Sequence, residues 1–176
     1  LKKQEGSYFT STIGYSLDLD KRNQRFQTTE GFRSKFTQTI PIISESNTLL
    51  NGYQIDSFHS FEDITASLGL YLRAVNGLSD DVRISERLNL PRKRLRGFES
   101  GKIGPVDSND YVGGNYAASL NFQTNLPFFF RSLQSVDFNY FIDAANVWGV
   151  DYSSSVDQSN SIRSSTGVGL EWFSPI

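Results

Sequence analysis

From Phe9 to Leu19 the chain alternates: Phe9, Ile13, Tyr15, Leu17 and Leu19 hold the odd positions, and Thr10, Thr12, Gly14, Ser16 and Asp18 the even ones. Successive side chains of a strand point to opposite faces, so this pattern predicts a strand with one apolar and one polar side. The same pattern sets Ile64, Ala66, Leu68, Leu70, Leu72 and Ala74 against Thr65, Ser67, Gly69, Tyr71 and Arg73, and Tyr116, Ala118, Leu120 and Phe122 against Asn115, Ser119, Asn121 and Gln123. It returns with Val136, Phe138, Tyr140 and Ile142 over Asp137, Asn139 and Asp143. The last instance is Ile162, Val168, Leu170 and Trp172 over Arg163, Ser165, Gly167, Gly169 and Glu171. Weaker alternation covers Phe32 to Ile40 and Leu49 to Phe61. The reading is seven strands and no helix.

Most of these strands run about 10–14 residues, where a soluble strand has about 5–6. Their polar positions are chiefly Asn, Gln, Ser, Thr and Gly with scattered charges, the lining expected of a wet lumen rather than of a solvated sandwich face. Pro41, Pro127 and Pro175 fall at expected strand ends, and Pro91 and Pro105 in a loop, so none interrupts a strand interior. Aromatics gather at strand ends too: Phe128, Phe129 and Phe130 after Pro127, Trp148 at the end of the sixth strand, and Trp172 near the last. That placement suits the interfacial girdles of a membrane barrel. The fold class expected is therefore all-β, an incomplete antiparallel transmembrane β-barrel, with residues 1–176 forming one unit.

Composition narrows the classes further. The apolar fraction is 38 % and the charged fraction 20 %, too polar for a bundle of membrane helices, while 14 Phe and 8 Tyr are too many aromatics for a disordered chain. No stretch approaches the roughly 20 apolar residues of a spanning helix, but a tilted barrel strand needs only about 9–11. The net charge is −2, which argues against a general basic surface for nucleic acid. Cysteine is absent, excluding disulfides, thiolate nucleophiles and Cys-based zinc sites. Methionine is absent as well, even at position 1, so the sequence reads as an excised fragment.

One connection is long. Residues from about 80 to about 112 lack periodicity and contain Pro91-Arg92-Lys93-Arg94-Leu95-Arg96-Gly97-Phe98-Glu99. A loop of that length is usually functional or disordered. Leu95-Arg96-Gly97-Phe98 resembles the hydrophobic-Arg-Gly-aromatic tip motif of the long extracellular loop in the BamA superfamily, the bacterial surface antigen family of outer-membrane insertases and transporters. Ile103-Gly104-Pro105, Gly113-Gly114-Asn115, the run Phe141 to Trp148 and the terminal Gly167 to Pro175 resemble further blocks of the family in the same order. Upstream, Leu17 to Asn23 with Thr29-Glu30-Gly31 resembles an earlier strand and its turn, so collinear blocks cover nearly the whole chain.

The resemblance implies that the loop folds back into the barrel, that Arg96 meets Asp143 on the inner wall, and that Phe141 lies beside it on the same face. Asp143 shares parity with Asp137 and Asn139, which places it independently on the polar side, where a shielded carboxylate needs a partner. An arginine can supply two parallel hydrogen bonds to it, and Gly97 permits a tight bend and close approach of the backbone to the wall. Four positions depart from the family pattern: Ala145 stands where glycine is usual, Asn121 near an expected acid, and Leu90-Pro91 in place of a glycine pair. Asn121 is the third expected wall partner of the loop.

By resemblance, the chain is the C-terminal barrel region of an outer-membrane assembly factor that folds and inserts other β-barrel proteins, ending about two strands before the family's C-terminus. The lipid bilayer of a bacterial outer membrane, unfolded β-barrel clients and accessory lipoproteins are the expected partners; no nucleic acid, cofactor or catalysis is expected. The alternatives are a two-partner secretion transporter of the same superfamily, a passive porin, which leaves the loop motif unexplained, and a soluble β-sandwich binding module. Other signals are weaker. His59, near Asp56, Glu62 and Asp63, lacks a second soft ligand for a metal. Gly167-Val168-Gly169 lacks the third glycine and helix of a nucleotide loop. Asp107-Ser108-Asn109-Asp110 reads as a polar turn rather than a calcium loop, and no base accompanies the serines.

Overall fold

The computed structural model describes residues 9–44, 47–127, 136–153, 155–156 and 161–172. Seven strands form one antiparallel sheet: β1 (Thr10–Asp20), β2 (Gly31–Ser44), β3 (Thr48–Phe61), β4 (Ile64–Gly77), β7 (Tyr116–Asn125), β8 (Val136–Trp148) and β9 (Arg163–Trp172). Each pairs with its neighbour in the chain, in the order β1-β2-β3-β4-β7-β8-β9, and among the described residues β1 and β9 do not pair with each other. Two shorter strands, β5 (Val106–Asp107) and β6 (Asp110–Tyr111), form a ribbon inside the connection between β4 and β7. The shortest wall strands have 10 residues. At about 3.3 Å per residue and a tilt near 40° they cover about 25 Å of membrane thickness, the height of a barrel's apolar band.

The register carries the sequence alternation across the whole sheet. One outer row runs Leu17, Phe36, Tyr53, Leu72 and Ala118, a second Ser57, Leu68, Phe122 and Ile142. Most of these side chains are uncovered, Leu17 at 65 % and Leu68 at 51 %, while Phe36, Tyr53 and Ala118 are half-buried. No second sheet packs on them among the described residues, so the sandwich alternative is not the architecture found. A soluble protein rarely exposes so broad an apolar face; hydrocarbon is the solvent that suits it.

Three expectations are corrected. β2 continues past Pro41 to Ser44, so this proline lies within the strand rather than at its end. It sits beside a register shift in the β1–β2 ladder and beyond Thr39, where pairing with β3 stops, so its missing N–H interrupts no β3 ladder bond. β4 likewise runs on to Gly77 and β7 starts at Tyr116, one residue after the expected Asn115. The connection between them, 78–115, has structure of its own despite its lack of period: single 3-10 turns at Ile84–Glu86 and Arg92–Arg94, and the β5–β6 ribbon. Ser108 and Asn109 at the ribbon's tip both have positive φ, the conformation of a two-residue hairpin turn, so the polar turn expected there is one of defined geometry.

The core lies between this connection and the inner face of the sheet. Leu90, Leu95 and Ile103 from the loop pack with Tyr71 of β4, Ala117 of β7, and Ala145 and Val147 of β8, with Leu88 and Phe98 against the cluster. Leu95 is 1 % exposed. Two of the departures noted in the sequence, Leu90 and Ala145, thus add apolar atoms to this contact. At the opposite end of the sheet, the connection 21–30 is tied together by Asn23, whose side-chain oxygen accepts from the backbone N–H groups of Gln24, Thr29 and Glu30.

Candidate functional site: the loop tip on the inner wall

One inward row crosses every strand of the sheet: Asp20, Arg33, Asp56, Gly69, Asn121, Asp143 and Ser165 are successive cross-strand partners. The loop lays two arginines on the middle of this row. Arg96 donates three hydrogen bonds to Asp143, from its backbone N–H (3.0 Å) and Nε (2.8 Å) to Oδ2 and from Nη2 (2.8 Å) to Oδ1. Its remaining Nη1 donates to Gln123 Oε1 at 2.7 Å. The guanidinium also lies 3.7 Å from the centroid of the Phe141 ring, within cation–π range. The Asp143 side chain is fully buried, so removing the arginine would strand a carboxylate away from water.

Asn121 completes the Asp143 shell. Its amide donates to Asp143 Oδ1 (2.8 Å) and to the Arg94 carbonyl (3.0 Å), which ties wall and loop backbone through one side chain. An acid at this position could not make these donations. The second cation, Arg94, is 6 % exposed and reaches Asn121 Oδ1 (3.4 Å) and Asp56 Oδ1 (3.5 Å) while lying 5.1 Å from the Tyr71 ring centroid. It fits because Gly69 occupies the intervening place on the row; a Cβ there would lie 2.8 Å from Asp56 Oδ1 and 3.3 Å from Arg94 Nη1.

The structure therefore brings Leu95, Arg96, Phe98, Asn121, Phe141 and Asp143 together. Gly97 has φ +84°, so the bend at the tip needs glycine, but a Cβ there would find its nearest neighbour, Ser165 Cβ, at 4.0 Å. The expected close approach to the wall is not its reason. Trp148 stacks on Tyr116 (5.8 Å between centroids) on the outer face at the end where the long connection emerges. Trp172, 75 % exposed, lies at the other end of the sheet. Phe128, Phe129 and Phe130 lie outside the described residues.

Sequence reasoning missed Asp56, because the alternation of β3 is weak, and Arg94, which reads as one more member of a basic run; it set Tyr71 on the polar side of β4 but gave it no partner. It also missed a cluster at the root of the loop. The Arg87 side chain is fully buried, donates to the Val82 carbonyl (3.2 Å), stands 3.5 Å from Asp151 Oδ1, and lies 4.4 Å from the Tyr152 ring centroid. Tyr152 in turn donates to Asp107 Oδ2 at 2.8 Å. That bond, with a second from Ser108, holds the Asp107 carboxyl below its ordinary range, and burial followed by the same bond raises the Tyr152 hydroxyl. Among the described residues no three His, Cys, Asp or Glu side chains are placed to hold a metal ion.

Comparison with known proteins agrees with this architecture. The family model described as the Omp85 superfamily domain matches residues 1–176. The chain is 30 % identical over 182 residues to the outer membrane protein assembly factor BamA of Neorickettsia risticii (strain Illinois), an alignment covering 99 % of the chain but 24 % of that relative. The crystal structure of BamA from Haemophilus ducreyi lacking POTRA domains 1–3 superposes with a TM-score of 0.82 at 22 % identity, over 94 % of the chain and 36 % of the other. The fold is thus that of an outer-membrane barrel wall, and the chain spans about a quarter of the curated relative's length. On its full-length match to the family model, with the barrel-wall strands and inward-folded loop behind it, the chain belongs to the Omp85 superfamily.

Proposed function

We propose that this chain forms wall and internal loop of an outer-membrane β-barrel assembly factor, which folds and inserts other β-barrel proteins. The name of the Neorickettsia relative supports the reading, and the observation that carries it is the buried Arg96–Asp143 pair with its Asn121 and Gln123 partners. This site has the make-up of a lock rather than of a catalyst: all the bonds of Arg96 join loop to wall, Asn121 braces the wall carboxylate, and no nucleophile and base are juxtaposed among the described residues of the site. The work is mechanical, without cofactor or covalent chemistry. The loop sets the shape and rigidity of the wall against which client strands are added. Unfolded β-barrel chains and accessory lipoproteins are the partners in this reading, and the outer row of apolar side chains, with Trp148 and Trp172 at its two ends, faces the bilayer.

The test uses the full-length protein reconstituted in lipid vesicles, with folding of a β-barrel client followed by its gel-mobility shift. Arg96→Ala is expected to slow client folding while the protein itself still inserts. Client folding at the wild-type rate, with the loop demonstrably undocked, would overturn the assembly role of this site.

A further inference from the structure

The cluster at the root of the long connection is separate from the tip. Arg87 is held from two sides: its Nη2 bonds the Val82 carbonyl of its own loop, and its plane packs on Tyr152 of the β8–β9 connection beside Asp151. Asp151 gathers further loop groups, accepting from the Val82 N–H at 2.8 Å and from the Asn115 amide at 3.1 Å. Tyr152 reaches the β5–β6 ribbon through Asp107. Two consecutive residues of one connection thus bind four points of the other, at positions 82, 87, 107 and 115. The side chains of Val82 and Arg87 are fully buried in the process. Burying a guanidinium is costly, and its bond to the Val82 carbonyl, its stack on Tyr152 and the nearby Asp151 carboxylate offset that cost.

We propose that Arg87 is a second positioning residue of the loop, and that through Asp151 and Tyr152 it couples the β8–β9 connection to the Arg96 tip. Both connections leave the same end of the sheet. The root anchor shortens the free chain that the tip must immobilise, so docking at one point lowers the entropic cost of docking at the other. The coupling is reciprocal: a ligand or substitution that displaces residues 151–152 weakens the tip contact, and release of the tip loosens the root. The loop geometry alone carries this inference; its bearing on client folding rests on the assembly role proposed above.

The experiment reads the loop and not client folding, so the two proposals fail separately. In the full-length protein in vesicles, Val82→Cys reports on the root and Leu95→Cys on the tip, both sites being closed to a maleimide while docked (0 % and 1 % exposed). Arg87→Ala is expected to raise labelling at position 82 by about tenfold, the effect of a lost charge-assisted bond, and to raise it several-fold at position 95. Arg87→Lys, which keeps the charge but cannot stack as a plane on Tyr152, recovers part of the protection at both. Labelling at 82 within twofold of the parent overturns the anchor; opening at 82 with no change at 95 overturns the coupling. If Arg87→Ala does not insert, Tyr152→Leu removes both the ring under Arg87 and the hydroxyl bond to Asp107, and unchanged labelling at both positions in that variant overturns the proposal.

Discussion

The Phe141 ring fills the space that a side chain at position 167 would need. A Cβ built on Gly167 of β9 lies 2.8 Å from Phe141 Cζ and 3.0 Å from Cε1, and the same ring carries the Arg96 guanidinium. The glycine that opens the last sequence block is therefore part of the loop site at one remove: it leaves room for the aromatic platform. Gly167→Val should push the ring toward Arg96 and weaken tip docking by about 1–3 kcal/mol, the cost of overpacking a filled site. Labelling of Leu95→Cys in the full-length protein checks this, and the paired variant Gly167→Val/Phe141→Leu should restore protection in part by vacating the space.

Removing Arg96 leaves the Asp143 carboxylate fully buried without its cation. Arg96→Ala is expected to cost about 3–5 kcal/mol of loop docking, as for other buried ion pairs broken from one side. Arg96→Lys should lose nearly as much, because an ammonium cannot satisfy both carboxylate oxygens and Gln123 from one plane. Asp143→Asn on top of Arg96→Ala should give back part of the loss, since the stranded charge is gone. Additive single effects in this double-mutant cycle would mean that the two groups do not share an interaction, contrary to their three hydrogen bonds.

How much of this could be read in advance varied with the kind of signal. Alternation named the wall strands because one face of each meets apolar surroundings along its full length. Leu68 and Leu120 obey the pattern for the same reason that leaves them uncovered in the isolated chain. The pairing of Arg96 with Asp143 was legible only through the family's motif, with parity adding that Asp143 points inward. Asp56 was not legible. It belongs to the central row through the register of three ladders, and register is set by pairing across strands, which no single segment displays. Arg87 and Tyr152 were hidden for a related reason: they meet through loop geometry, where no period exists to place them.

At position 121 the amide is used in a way an acid could not copy. It donates to Asp143 and to the Arg94 carbonyl while accepting from Ser119 and, at 3.4 Å, from Arg94. Asn121→Asp should therefore set two carboxylates against one another and turn a donated bond into repulsion. It is expected to lower loop protection more than Asn121→Ala does, despite the smaller change in shape. Thiol labelling at position 95 would rank the two. The reverse order would mean that Arg94 and Arg96 together neutralise a second carboxylate, and that the amide is incidental.

The root cluster should give the loop two pH limits. Asp107 has its carboxyl held low by the bonds from Tyr152 and Ser108, so its contribution is complete above the unfolded value of about 3.9 and is lost as pH falls below it toward the folded one. Tyr152 has its hydroxyl raised, chiefly by burial and then by Asp107; its contribution is complete below about 10 and is lost as pH rises through the folded value. A nitroxide attached through Ser100→Cys, in the exposed stretch between tip and ribbon, should show an unchanged spectrum from about pH 4 to about pH 10 and gain mobility beyond each limit. The decisive comparison is with Asp107→Asn and Tyr152→Phe. The first should remove the part of the acid limb that belongs to Asp107, the second the alkaline limb. An alkaline limb that survives Tyr152→Phe would show that the mobility change arises elsewhere in the wall.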